Sequence, residues 1–217
     1  MFTAVQSVEI ALRSKIIHHL SIKYGAFWFM DESLSDNRDL FIENLSHIRL
    51  ELKRSREDFI SEHFRKYDFP QYPPVWKTLE VVSFGTLSKL FENFSDKRVK
   101  KIIAREFNLP QHLYLESWIK CIAVLRNCIA HHSRIWNRKF PLKPQLPMKL
   151  NGLWTDCSEI ERSKLYAQLC CLAYLQNHIH PNNDFKQQLK LLLKSHPNVD
   201  IVAMGFPPGW ETEPIWK

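Results

Sequence analysis

The thirteen-residue stretch RNCIAHHSRIWNR, which begins at Arg126, carries the side chains of this chain best suited to chemistry. On a helix that turns by about 100° per residue, Arg126, Asn127 and His131 share an arc of roughly 140°, together with Arg134. An imidazole can transfer protons near neutral pH, and a guanidinium binds phosphate through a fork of hydrogen bonds. Ala130, the small residue in this polar group, leaves room for another molecule to approach. The combination suits phosphodiester chemistry on RNA without a metal.

The opposite side of the same helix is apolar. An arc of roughly 60° holds five large side chains: Trp118, Ile122, Leu125, Ile129 and Trp136. This pattern predicts a motif helix over about residues 112–132 that is central to the fold, buries its apolar stripe and presents the polar group on its other side.

Each polar side chain also has a simpler interpretation. Arg126 taken alone would be an ion-pairing surface residue, and Trp136 is expected in the core. His132 points toward the apolar stripe, which favours core packing or a hydrogen bond at the helix end. Arg134 and Arg138 either complement the C-terminal end of the helix dipole or bind phosphate. Only the joint occurrence of the whole motif favours a functional site.

Composition places the chain among ordinary globular proteins with a basic surface. Its 217 residues fit a single domain over 1–217, and 45% of them are hydrophobic and 24% charged. A formal net charge of +7 and a pI near 9.2 favour a polyanionic partner, of which nucleic acid is the commonest. The 5 glycines argue against a glycine-loop nucleotide binder.

The cysteines indicate an intracellular protein with reduced thiols, because their number is odd and four lie in apolar helical segments. They are Cys121, Cys128, Cys157, Cys170 and Cys171. We expect no metal site and no other cofactor, since no Cys-x2-Cys pair occurs and the two histidines after Cys128 follow it too closely. The sequence shows no signal peptide and no run of about 20 apolar residues, so we expect a cytoplasmic protein without a membrane partner.

Hydrophobic periodicity predicts an all-α fold. Helices are expected over 3–23, 38–66, 75–94, 112–132, 157–179 and 184–195, and a further helix begins after Ser95 as its cap. Within 75–94, Gly85 marks either a break or a close helix crossing. Glu9 is expected to pair with Arg13, one turn along the first helix. A proline-rich irregular segment over 139–154 and a C-terminal extension over 181–217 complete the chain, and its last 20 residues are expected to wrap the surface.

The spacing Arg-Asn-x3-His is similar to the Arg-x4-6-His signature of the HEPN superfamily of RNases and RNase-derived proteins. The longer string LRNCIAHHSRIWNR resembles the signature of the Abi-like (abortive infection, AbiD/AbiF-type) family. The strings VEIALRSKI, YGAFWF and PPVWKTLEVVSFGTLSKLF also look like segments of that family, so the resemblance covers roughly residues 5–140. Members usually carry several tens of residues before the VEIALR region, which predicts that this chain is a shortened or an incomplete member.

The resemblance implies a HEPN-like helical bundle and a metal-independent endoribonuclease of a phage-defence system. It assigns catalytic roles to Arg126 and His131, with Asn127 as the polar residue beside the arginine, and the helical geometry separately favours His131 over His132. It also implies a homodimer in which two motifs face each other and cleave RNA through attack by the ribose 2′-OH, leaving a cyclic phosphate. We expect phosphate of the RNA to contact three further side chains: Arg134, Arg138 and His132.

Two other classes of function fit the same sequence. The chain could be a non-catalytic RNA-binding or antitoxin-type partner that keeps the fold and the basic surface. It could also be a protein-interaction module that dimerises through the polar helix face.

Overall fold

Helices account for most of the chain, as the apolar periodicity predicts. The computed structural model describes residues 1–156 and 159–217, and those residues form α-helices and short 3-10 turns without a β-strand. The helices are α1 (Phe2–Tyr24), α2 (Arg38–Arg54), α3 (Asp58–Lys66), α4 (Val75–Val81), α5 (Phe84–Asn93), α6 (Lys97–Glu106), α7 (His112–Ala130), α8 (Leu165–Ile179) and α9 (Phe185–Ser195). The prediction of an all-α fold is confirmed.

The chain divides into two compact units, one made of residues 1–10 and 104–217 and the other of residues 11–103. The first unit contains α7 and therefore the whole motif. That residues 1–217 behave as a single domain stays a prediction.

Two of the predicted helices are each broken into a pair. The prediction of one helix over 38–66 is wrong, because the backbone turns extended at Ser55 and the Ser55 hydroxyl accepts a hydrogen bond from the amide of Glu57 (3.3 Å). The stretch over 75–94 is also broken, as the alternative at Gly85 allowed, and the break lies at Val82 and Ser83. Ser83 is extended and its hydroxyl caps α5 by accepting from the amide of Thr86 (3.2 Å).

The cap of α6 is Asp96 rather than the predicted Ser95. The Asp96 carboxylate accepts from the amide of Arg98 (2.9 Å), and it also forms an ion pair with Lys23. Hydrogen bonds from Lys23 and Tyr24 hold the pKa of Asp96 well below its ordinary value. One carboxylate therefore fixes the start of α6 and ties the end of α1 to it.

Helix α8 is the most buried element of the first unit. Its twelve residues from Leu165 to Gln176 are all buried, and α7 packs against it. Helix α7 itself contributes eight buried residues to the same core, so the predicted motif helix is part of a core built around α8. The predicted start of this helix at Cys157 lies outside the described residues, and the helix begins at Leu165.

The last twenty residues do not wrap the surface as predicted, because they contribute an aromatic cluster to the core. Phe206, Trp210 and Trp216 are buried, and the Trp216 indole donates a hydrogen bond to the Tyr166 hydroxyl on α8 (3.1 Å). Gly205 permits this approach: its φ is +86°, and a Cβ there would lie only 2.6 Å from the Cβ of Lys164.

The segment over 139–154 is irregular, as predicted, and it is held by the motif helix. The Trp118 indole on α7 donates to the carbonyl of Gln145 (2.7 Å), and Trp154 stacks on Trp118 with ring centroids 5.4 Å apart. The Trp154 indole in turn donates to the carbonyl of Pro147 (3.0 Å). These contacts fix the rotation of α7 about its axis, and so fix which of its residues face away from the core.

The apolar stripe of α7 generates a stability prediction. Trp118, Ile122 and Leu125 are completely buried, whereas Ile129, also predicted to be buried, keeps part of its side chain exposed. Leu125→Ala should lower the free energy of unfolding by about 2–5 kcal/mol, because it opens a cavity in a packed core. Chemical denaturation would measure this loss. The matched control is Leu113→Ala on the same helix, whose side chain is exposed and which should cost less than about 1 kcal/mol. Equal losses in both variants would contradict the assignment of the buried face.

Candidate active site at the end of helix α7

Helix α7 ends at Ala130, two residues earlier than predicted, and its end is a well-formed Schellman cap. The backbone of His132 is left-handed (φ +50°). Its amide donates to the carbonyl of Ile129 (3.1 Å), and the amide of Ser133 donates to the carbonyl of Cys128 (2.8 Å). These are the two bonds that define this cap, with a histidine where glycine is the usual residue.

The early end of the helix corrects the helical placement of the residues that follow. Arg134 and Trp136 lie beyond the cap and are not part of the helix, so they do not share the helical faces predicted for them. Trp136 is 44% exposed rather than in the core. Arg134 is exposed, and its carbonyl accepts a long hydrogen bond from Arg138 (3.4 Å). Arg134 and Arg138 thus lie in an irregular segment after the helix, residues 133–140, which we call the strap.

Arg126 lies in the last full turn of α7 and has an acidic partner from α1. Its Nε lies 3.5 Å from a carboxylate oxygen of Glu9, and the side chains of Arg126 and Glu9 are 35% and 14% exposed. An ion pair shielded to this degree limits the orientations of the guanidinium. Sequence reasoning missed Glu9 as part of the site, because the pattern of α1 offers Arg13 as its partner and nothing in it indicates a contact with α7.

Asn127, Ala130 and His131 are exposed beside this arginine. His131 is the C-cap residue of α7, and its amide donates to the carbonyl of Asn127 (3.0 Å). The end of α7 therefore exposes an imidazole and a carboxamide to solvent, and the paired guanidinium of Arg126 belongs to the residue just before Asn127. The residues predicted to be catalytic thus all lie at this one helix end.

The strap that follows the helix is anchored by Lys164 and Phe140. The Lys164 ammonium donates to the side-chain oxygen of Asn137 (2.9 Å) and to the carbonyl of Ala203 (2.9 Å). The amide of Phe140 donates to the carbonyl of Ser163 (2.7 Å), and the Phe140 ring is buried. The strap is therefore fixed by the helix cap at its start, by Lys164 at Asn137 and by the contacts of Phe140 at its end, and Arg134 and Arg138 lie between the cap and Phe140.

The thiols offer no competing nucleophile in the described part of the chain. Cys121, Cys128, Cys170 and Cys171 form no disulfide and are buried, as predicted, and burial raises the pKa of the Cys121 thiol to about 12. The prediction for Cys157 falls on a residue outside the described ranges.

The structure shows neither a metal-ligand cluster nor a membrane-spanning helix in its described part. Among residues 1–156 and 159–217, no group of three or more His, Cys, Asp or Glu side chains is placed to hold a metal ion. None of the helices described above is long and apolar enough to cross a membrane.

The motif coincides with a known family pattern. A family model described as Abi-like protein matches residues 1–137, a range that contains all of α7 and the strap as far as Asn137. The resemblance inferred from the sequence is confirmed at this level, and it indicates a function related to abortive infection. Membership of the wider HEPN superfamily stays a prediction. Comparisons with curated proteins and with solved structures give no match.

The cap geometry makes a prediction about His132, whose exposed side chain contradicts the expected core packing. Because its φ of +50° is costly for a residue with a Cβ, His132→Gly should raise the free energy of unfolding by up to about 1 kcal/mol. His132→Ala keeps the Cβ and should give no such gain. Denaturation of the two variants beside the wild type would measure the difference. A glycine variant less stable than the alanine variant would show that the side chain, and not the backbone, decides this position.

Proposed function

Because the chain belongs to the Abi-like protein family, we propose that it is a metal-independent endoribonuclease of an abortive-infection phage-defence system. One observation carries this proposal: the exposed imidazole of His131 and carboxamide of Asn127 lie at a capped helix end, next to an arginine that an ion pair holds in place. Proton transfer and phosphate binding are the two functions that RNA cleavage needs from side chains.

The reaction begins with attack by a ribose 2′-oxygen on the adjacent phosphorus. The bond from phosphorus to the 5′-oxygen breaks, which leaves a 2′,3′-cyclic phosphate and a 5′-hydroxyl end. His131 takes the proton of the 2′-OH or supplies the proton of the leaving 5′-oxygen. Arg126 stabilises the negative charge that develops on the phosphoryl oxygens, and Asn127 orients the phosphate by hydrogen bonding.

One chain supplies a single arginine–histidine set, whereas the reaction uses an acid and a base. We therefore include a second copy of the chain in the proposal, as a two-fold homodimer in which the ends of two α7 helices meet. The second imidazole then completes the acid–base pair. The exposed methyl group of Ala130 leaves space for the RNA between the two motifs.

Glu9 acts in this scheme as a positioning residue. Its closest approach to Arg126 is to Nε, the inner nitrogen of the guanidinium fork, so that the outer nitrogens are the ones that reach a phosphate. Arg134, Arg138 and His132 contact neighbouring phosphates from the strap, in keeping with the formal net charge of +7.

The exposed indole of Trp136 favours a second candidate function. A large aromatic ring that is 44% exposed beside the motif is typical of a protein contact surface, and it supports a non-catalytic RNA-binding or protein-interaction module with the same fold. In that case the helix end would mediate association and the chain would not cleave RNA.

Cleavage of RNA in the presence of EDTA tests the proposal. Loss of one acid–base group typically costs about 10²- to 10⁴-fold in rate, and His131→Ala should show a loss of this size with its thermal unfolding unchanged. Arg126→Lys should fail as well, because an ammonium cannot reproduce the guanidinium fork. The matched control is His196→Ala, which removes another exposed histidine from the C-cap of a helix, α9, and should cleave at the wild-type rate.

Wild-type rates in both His131→Ala and Arg126→Ala would show that the catalytic assignment is wrong. A wild-type chain that binds RNA without cleaving it would favour the binding module. An active protein that light scattering shows to be strictly monomeric at micromolar concentration would contradict the composite site.

A further inference from the structure

A groove between α2 and α3, within the unit of residues 11–103, has the shape and lining of a small-ligand site. It encloses about 440 Å³, within the range of pockets that hold small molecules. Its apolar lining comes from Leu52, Ile60 and Tyr72, which are buried, and from the ring of Phe64, which is nearly half exposed. An occupant would therefore meet an apolar floor and one accessible aromatic face.

The charges that line this groove are all positive. Arg49 and Lys53 contribute to the lining and no carboxylate does. Both are exposed, and neither pairs with a carboxylate of residues 1–156 or 159–217. They also lie four residues apart on α2, where like charges repel and weaken the helix. An anionic group bound between them would relieve this local conflict, and conflicts of this kind concentrate at functional sites.

Two more exposed aromatic side chains follow Phe64 along the chain. Between Phe64 and Tyr72 the chain carries Tyr67, which is nearly half exposed, and Phe69, which is 87% exposed. The Lys66 ammonium lies over the Tyr67 ring, 5.4 Å from its centroid. Exposed aromatic rings interleaved with cations are the arrangement on which unpaired nucleobases stack.

We propose that this groove binds a nucleotide, with the base on the ring of Phe64 and the phosphate on Arg49 and Lys53. In an RNA strand, a further base would stack on Phe69, the most exposed of these rings. The inference rests on the proposed function, because RNA is the substrate named there. Acidic peptides would match the two cations equally well, but the exposed rings of Phe64 and Phe69 favour flat bases.

Binding rather than cleavage tests this site, in a full-length chain that carries His131→Ala so that RNA stays intact. The probes are a fluorescein-labelled single-stranded 12-mer RNA, followed by anisotropy, and AMP as an unlabelled competitor. Loss of one stacked base weakens binding by about 5- to 150-fold, so Phe64→Leu should weaken RNA binding within this range. Arg49→Ala/Lys53→Ala should weaken binding of both probes by at least about 10-fold.

The matched control is Arg54→Ala/Arg56→Ala, which removes the same charge from exposed positions of the same region that do not line the groove. Its RNA affinity should change by less than about threefold, because it loses only the general attraction between positive charge and RNA. Groove-dependent binding of AMP without groove-dependent binding of RNA would support the nucleotide site and identify a free nucleotide as its ligand.

The proposal would be overturned if the groove variants bound both probes with wild-type affinity, or if the control pair lost as much affinity as they do. It would also be overturned if AMP failed to displace RNA from the parent protein while an acidic leucine-rich peptide bound the groove. The outcome is separate from that of the proposed function. Wild-type affinity for both probes in the groove variants, together with RNA cleavage that depends on His131 and Arg126, would rule out the groove and leave the RNase proposal standing.

Discussion

The burial of α8 is the constraint on which the rest of its unit depends. A helix with twelve consecutive buried residues has no solvent face, so neighbouring elements must cover it on every side. Helix α7 packs on one side of α8, and the C-terminal turns pack on another, where Trp216 donates a hydrogen bond to Tyr166. Near the other end of α8, Gln176 donates a hydrogen bond to the carbonyl of Ala4 on α1. The start of α1 and the whole of α7 are thereby held in one unit, which brings Glu9 to Arg126.

The candidate site uses this rigid support at a point where the regular structure stops. The helix end leaves Asn127 and His131 exposed while Arg126, one turn back, is restrained by its carboxylate partner. A cap with defined backbone bonds fixes these positions better than a mobile loop would. Catalysis by positioning needs such support, because small displacements of a reacting group cost large factors in rate.

Much of the fold and the location of the candidate site could be predicted from the sequence, because both depend on the local residue pattern. The 3.6-residue repeat identified the buried face of α7, on which Trp118, Ile122 and Leu125 are all fully buried. The end of α7 could not be predicted, because a histidine occupies the left-handed position that glycine normally marks. Continuing the helix to Trp136 then gave that residue a core position that it does not have.

Other features were missed because they depend on contacts between distant segments. Glu9 reaches Arg126 across more than a hundred residues, and no spacing rule connects them. The aromatic cluster around Trp210 and Trp216 lies in a proline-rich segment without periodicity, so only the tertiary structure shows that it is part of the core. The sequence gives no sign that Arg49 and Lys53 line a common groove, because the groove forms only when α2 and α3 pack together.

The chemical identity of the RNA ends tests the central claim most directly. Mass spectrometry of an RNA oligomer incubated with the wild-type chain in EDTA would identify both products of a cleavage. Attack by the 2′-oxygen at a site built from Arg126 and His131 predicts a 2′,3′-cyclic phosphate on one fragment and a 5′-hydroxyl on the other. Fragments that end in a 3′-hydroxyl and a 5′-phosphate, or an RNA that stays intact, would contradict the account.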